Sequence, residues 1–340
     1  RYSNYPKVDV TVDTTGTISG KIEMSASGND VKKGCSLTIK RGTFEGEFDK
    51  QNSASAGTIS ITGGSFSDDV KEYLPSGMTQ LNGKVVVDTE KAVATVNGVV
   101  GYDDLQEAIN AAGKGDTVTL LQDEDQDITI AADQEITLDL GTYTLKNVSG
   151  HTITNNGTLT IIGSGTVDNI SHGKAAIYNE VGATATLNGG TYTRSMENGI
   201  DAEDNGGNTY YTILNHGTMT ISDGVTVNQG ADGNGKYSSL VENGWYNGNQ
   251  NGTAAPSIMT INGGTFGGGL NTIKNDDYGQ LTIKGGTFSS YAQACVLNWN
   301  EATISGGTFD GTRASNGVVL NGYINATMDK GKLTITGGEF

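Results

Sequence analysis

Leu281-Thr282-Ile283-Lys284-Gly285-Gly286-Thr287-Phe288 is a phrase that this chain repeats. It returns as Leu37–Phe44, Ile59–Phe66, Ala185–Tyr192, Met259–Phe266, Ala302–Phe309 and Leu333–Phe340, with looser copies at Leu159–Val167 and Met219–Val227. Each copy reads apolar, Thr or Ser, apolar, a variable residue, a glycine turn, Thr-like, then aromatic or Val. Alternation puts the two apolar residues on one face of a short strand and the Thr on the other. The glycines supply a corner where positive φ costs little. Successive corners at Gly264, Gly286 and Gly307 are 22 and then 21 residues apart. That period is too short for a domain and fits one coil of a solenoid.

A second signature precedes the first from residue 150 onward: Ile or Val, any residue, Asn. It occurs at Ile153–Asn155, Ile177–Asn179, Ile213–Asn215, Val241–Asn243, Ile273–Asn275, Val296–Asn298 and Val319–Asn321. The coil is therefore strand, Asn corner, strand, Gly-Gly corner, third strand or loop. An Asn in such a corner can bond its own backbone and pass an amide bond to the Asn one coil away. Asn155, Asn179, Asn215, Asn243, Asn275, Asn298 and Asn321 are expected to form one buried ladder. Six of the seven Phe residues, all but Phe48, end a glycine-corner motif, which predicts an internal aromatic row.

These features resemble the right-handed parallel β-helix, the fold of pectate lyases and many bacterial surface proteins. With a lid helix, the Gly-Gly-Thr-Phe coils are most similar to repeat-bearing cell-surface proteins of Gram-positive anaerobic bacteria. The resemblance spans nearly the whole chain. It implies an all-β, right-handed parallel β-helix with short capping helices, and a secreted or cell-surface location.

The pattern divides the chain into a short β-helical section at 1–77, linker strands at 78–100 and a main β-helix at 101–340. Ser67-Asp-Asp-Val-Lys-Glu-Tyr-Leu-Pro-Ser-Gly77 reads as a short closing helix with Ser67 as N-cap. Tyr102–Ala112 places Leu105, Ala108, Ile109 and Ala112 on one helical face, with Gly113 as C-cap, and reads as a lid on the first coil. The section at 1–77 looks like the ending that the main stack lacks. That predicts a tandem array in a longer protein, or head-to-tail association of copies.

Composition narrows function. Lys plus Arg is 21 against 38 Asp plus Glu, a net charge of −17. Such a surface repels phosphate backbones and anionic lipid, which argues against nucleic acid as a partner. No apolar run is long enough to span a bilayer, so no membrane insertion is expected. Cys35 and Cys295 show no metal-ligand spacing and read as small buried fillers.

Three functions remain in play. Consecutive coils carry Asn243-Gly-Trp-Tyr246, Asn275-Asp-Asp-Tyr278, Asn298-Trp299 and Asn321-Gly-Tyr323 directly after the ladder Asn. Trp245, Tyr246, Tyr278, Trp299 and Tyr323 then fall along one edge, at about 4.8 Å per coil. Asp276 and Asp277 stand beside them, to select hydroxyls or hold a cation, Ca2+ being the candidate; no other cofactor is called for. Flat rings flanked by carboxylates suit sugars, and the expected protein is a non-catalytic stalk or adhesin whose partner is a polysaccharide or host glycan. The alternative is a polysaccharide lyase or glycoside hydrolase. It would draw on Asp123-Glu-Asp-Gln-Asp127, Asp201-Ala-Glu-Asp204 or Asp276-Asp277. Asp276-Asp277 loosely resembles the aspartate pair of polygalacturonase-type hydrolases, but the Gly-His-Gly and Arg-Ile-Lys motifs of that family are absent. No catalytic residue is assigned. His151, His172 and His216 form no evident triad, and the three acidic clusters read first as solvated loops. A single outward Thr per coil leaves ice binding as a third possibility.

Overall fold

The computed structural model of the chain describes residues 9–24, 36–50, 57–196, 211–230, 238–245, 255–322 and 331–340. It is nearly all-β, a parallel β-solenoid of about 11 stacked coils. Among the described residues the only α-helix is Leu105–Ala111. The chain divides into two compact units, Arg1–Ala108 and Ile109–Phe340.

In the larger unit each coil lays one strand on each of three parallel sheets. The first sheet carries the Leu-Thr-Ile strands, such as Thr158–Ile162, Thr218–Ile221 and Gly279–Ile283. The second is 8-stranded and carries the Thr-Phe strands, such as Thr265–Gly267 and Thr287–Ser289. The third, also 8-stranded, carries the Ile-x-Asn strands, such as Ile177–Asn179, Val241–Asn243 and Asn271–Asn275. Register between coils is one to one: Met259 faces Leu281, Thr260 faces Thr282 and Ile261 faces Ile283. Apolar residues on either side of each outward Thr point into the stack, and Leu159, Ile161, Met219, Ile221, Met259, Ile261 and Ile283 are fully buried. Burial of such continuous apolar columns is the main driving force for stacking.

The Gly-Gly pair answers two separate demands. The second glycine of each pair sits at positive φ: 103° at Gly264, 108° at Gly286, 107° at Gly307 and 114° at Gly338. An L side chain is strained there. The first glycine has no room instead, because a Cβ on Gly306 would run into the carbonyl oxygen of Lys284 in the preceding coil. The same obstruction recurs at Gly285 and Gly337, against Asn262 O and Ser305 O.

The two internal ladders are present. Nδ2 of Asn155 donates to Oδ1 of Asn179 at 2.7 Å, and the pattern continues through Asn215, Asn243, Asn275 and Asn298 to Asn321 at 2.7–2.8 Å. The first six are fully buried; Asn321 is exposed. Phe266, Phe288, Phe309 and Phe340 stack with centroids 4.7–4.9 Å apart and planes within 9°. Upstream the same column holds Val167, Tyr192 and Val227, so the aromatic row is interrupted there.

The smaller unit repeats the scheme in outline. Asp9–Ser19 lies parallel to Ser36–Glu45, which pairs in turn with Thr58–Ile61 and Ser65–Phe66. Phe44 stacks on Phe66 at 4.7 Å within a core of Ile39, Ile61, Val70, Met78 and Val85. Residues 78–100 contain an antiparallel hairpin, Met78–Leu81 with Lys84–Val87.

Two sequence expectations need correction. The closing helix at 67–77 is a single 3-10 turn, Lys71–Tyr73. Ser67 and Asp68 are not free to cap a helix, because they accept the backbone N–H groups of Gly46 and Phe48 from the preceding coil. Leu105, Ala108 and Ile109 are buried as the amphipathic pattern requires, but Gly113 is not a left-handed C-cap. Its N–H is held by Asp116 Oδ2 at 2.8 Å, and Gly115 takes the positive φ. Asp104, whose Oδ1 accepts from Glu107 N at 2.8 Å, caps the helix start.

Candidate functional site

The middle residue of each Ile-x-Asn triplet points away from the core, because its two neighbours point in. Down the third sheet this outward column is Thr154, Tyr178, Leu214, Glu242, Lys274, Leu297 and Leu320, in register. Side chains from the adjacent corners fold onto it.

One half of the face is a row of rings. His151 and Tyr178 have centroids 5.0 Å apart, Tyr178 meets His216 edge-on at 5.3 Å, and His216 stacks on Trp245 at 3.7 Å with planes 7° apart. Tyr178 Oη is hydrogen-bonded to His216 Nδ1 at 3.0 Å. Trp245 Nε1 donates to Ala255 O at 3.2 Å, and its backbone N–H donates to Asp277 O at 2.9 Å. All four rings are half-buried and packed against one another.

The electrostatics of this row favour neutral rings. Burial, with Lys174 adding repulsion against a smaller opposing pull from Asp127, lowers His151 from 6.5 to about 4. His151 Nδ1 accepts the N–H of Ala175 at 2.9 Å, a bond that protonation would break. Burial also lowers His216 to about 4, against a backbone hydrogen bond with Gly244. Burial and then Glu180 push the Tyr178 phenol upward. The linkage follows. Between about pH 6.5 and 4 the unfolded chain binds two protons that the folded chain refuses, so stability falls as pH drops through that window and is fully present above it. Each half-buried ring contributes on the order of 1–2 kcal/mol after solvent screening. Urea midpoints at pH 7 and 4.5 are expected to separate further in the parent than in a His151→Gln/His216→Gln variant. Equal separations would remove this assignment.

The other half of the face is a buried ionic cluster. Glu242 is 2% exposed, and Lys274 and Asp276 are 0% exposed. Lys274 Nζ stands 2.5 Å from Asp276 Oδ2, 3.9 Å from Glu242 Oε1 and 3.4 Å from Tyr211 Oη. It also lies 4.6 Å from the ring centroid of Trp299. Burial drives the Glu242 carboxyl well above the ordinary range; Lys274 opposes this, and the nearby Asp276 reinforces it. Of the two carboxylates near Lys274, that of Asp276 makes the closer contact.

The residues singled out in the sequence are thus distributed. Trp245 and Trp299 lie on this face, on His216 and Lys274 respectively, and not side by side. Tyr278 is 46% exposed at φ 62°, Asp277 is half-buried, and Asp276 is beneath the surface. Tyr246 and Tyr323 lie outside the described residues, as do Cys35 and Asp201–Asp204. Cys295 is buried with a free thiol. Asp127 belongs to the backbone, since its carboxylate accepts the N–H groups of Val148, Ser149 and Gly150. Among the described residues no group of three or more His, Cys, Asp or Glu is arranged to hold a metal ion. The outward Thr column of the first sheet becomes Thr-x-Thr on the coils of Thr158, Thr184 and Thr218, then gives way to Ile258, Gln280 and Glu301.

His151, Tyr178, His216, Tyr211, Glu242 and Lys274 were not legible as a site from sequence motifs. The outward column of the Ile-x-Asn triplets was the available signal for three of them, Tyr178, Glu242 and Lys274. No protein-family model, curated protein or solved structure significantly matches the chain.

Proposed function

We propose that this is a non-catalytic surface-displayed or secreted solenoid, a stalk or adhesin, that binds an extended polysaccharide or host glycan along the outer face of the third sheet. The observation that carries the reading is the row of half-buried rings on successive coils, His151, Tyr178, His216 and Trp245, with Trp299 beside Lys274 farther along the face. Rings already packed against one another lose little entropy on binding. Aromatic groups suit the C–H surfaces of sugars, and the net charge of −17 disfavours polyphosphates.

Each ring adds on the order of 1 kcal/mol of contact. Trp245→Ala and Trp299→Ala are therefore each expected to weaken binding by about five-fold, the pair by more than twenty-fold. A panel of plant, microbial and mucin glycans tests this; unchanged binding by both variants defeats the reading. The lyase or hydrolase reading is favoured by one observation, carboxyls facing a lysine at Glu242, Lys274 and Asp276. Their exposure of 2% or less keeps a glycosidic bond away from them. Release of unsaturated or reducing-end products from any glycan in the panel would favour the enzyme instead.

A further inference from the structure

Three ionisable groups without solvent, on the outward side of a sheet, are costly for a protein that could place Leu there, as it does at Leu214, Leu297 and Leu320. The contact within the cluster is also unusual. Nζ of Lys274 is 2.5 Å from Asp276 Oδ2, yet that oxygen has no hydrogen bond of good geometry, and neither does Glu242 Oε1. The amine is therefore close to the carboxyl group but outside the angles of a hydrogen bond. Asp276 Oδ1, by contrast, is held, accepting the backbone N–H of Asp277 at 2.9 Å.

We propose that Lys274 and Asp276 are the reacting partners of an autocatalytic isopeptide bond, with Glu242 as its acid–base catalyst. The step begins with proton transfer within the buried pair, from the Lys274 ammonium to Oδ2 of Asp276, which gives an amine and a carboxylic acid. Nζ attacks Cγ of Asp276, and the N–Cγ bond forms. The Asp277 N–H stabilises the negative charge that develops on Oδ1. Glu242 gives its proton to the Oδ2 hydroxyl and takes one from the nitrogen. The Cγ–Oδ2 bond breaks, water leaves, and Glu242 is returned protonated. Atoms balance as amine plus acid giving amide plus water, with no oxidant or cofactor. Proximity supplies the rate and exclusion of water holds the product. The bond would close a ring around Asn275, whose side chain points the other way into the ladder, and would convert the costly ion pair into a neutral amide.

The test is the intact mass of the folded protein. The parent is expected to be lighter than its sequence by one water in essentially every molecule. Trypsin is expected not to cleave after Lys274 even in denaturant, and fragment spectra are expected to join Lys274 to Asp276. Glu242→Gln and Asp276→Ala are expected at their full sequence masses. Asp276→Asn is diagnostic, because loss of ammonia gives a product of the same mass as the parent product. A parent at full sequence mass, cleaved after Lys274, overturns the proposal, as does a lost water located elsewhere. The parent's mass alone decides between these outcomes, whether or not the protein binds a glycan.

Discussion

Phe288→Ala is expected to cost about 3–5 kcal/mol. Phe288 is fully buried and is the interior ring of a continuous stack, 4.9 Å from Phe266 and 4.7 Å from Phe309. Its loss removes contacts on both faces and leaves a cavity that rigid neighbouring coils cannot close. Val227 occupies the same column between Tyr192 and Phe266 but carries no ring of its own, so Val227→Ala is expected to cost about 1–2 kcal/mol less than Phe288→Ala. Urea unfolding of the two variants makes the comparison. Equal losses would contradict the expected cost of removing the interior ring.

Asn215→Leu is expected to cost about 3 kcal/mol despite adding apolar surface. Asn215 Nδ2 serves Asn243 Oδ1 at 2.8 Å, Ile258 O at 3.1 Å and Gly217 O at 3.2 Å, while its Oδ1 accepts from Asn179 Nδ2 and Gly217 N. A leucine strands all of these groups away from water, and each buried orphan carries its own desolvation penalty. Asn321 ends the ladder exposed, so the same substitution there is expected to cost under about 1 kcal/mol. The measurement is the difference between the two midpoints. Because long solenoids can unfold in parts, amide exchange at Gly217 and Ile258 should report the local opening as well.

Why the fold was legible follows from these residues. Alternation in Leu281-Thr-Ile, the glycines of the corner and the terminal Phe each have one physical role, repeated coil after coil, so pattern and structure coincide. The Asn triplets were legible for the same reason, since each amide must bond the next one. Outward positions carry no such obligation. Tyr178, Glu242 and Lys274 sit between repeated neighbours, and only the in-register column reveals that they share a face with His151, His216 and Trp299. Trp245 and Trp299 stand close after the ladder Asn in sequence. Their spacing along an edge said nothing of the direction in which each ring folds, toward His216 in one case and Lys274 in the other. The 67–77 segment misled for a different reason: Ser67 and Asp68 carry helix-start chemistry, but they accept the backbone N–H groups of Gly46 and Phe48 from the preceding coil instead.

Both tryptophans of the chain lie on the proposed binding face, so their fluorescence reports on it directly. The decisive measurement is a titration of a bound polysaccharide's oligomers, in order of length, against the intrinsic fluorescence of the parent protein. Affinity is expected to rise with each added sugar until the ligand spans about 24 Å, five coil spacings from the coil of His151 to that of Trp299, and then to level off. Emission from both tryptophans is expected to change together. Affinity independent of length, or binding that leaves both tryptophans silent, would contradict the placement of the glycan on this face.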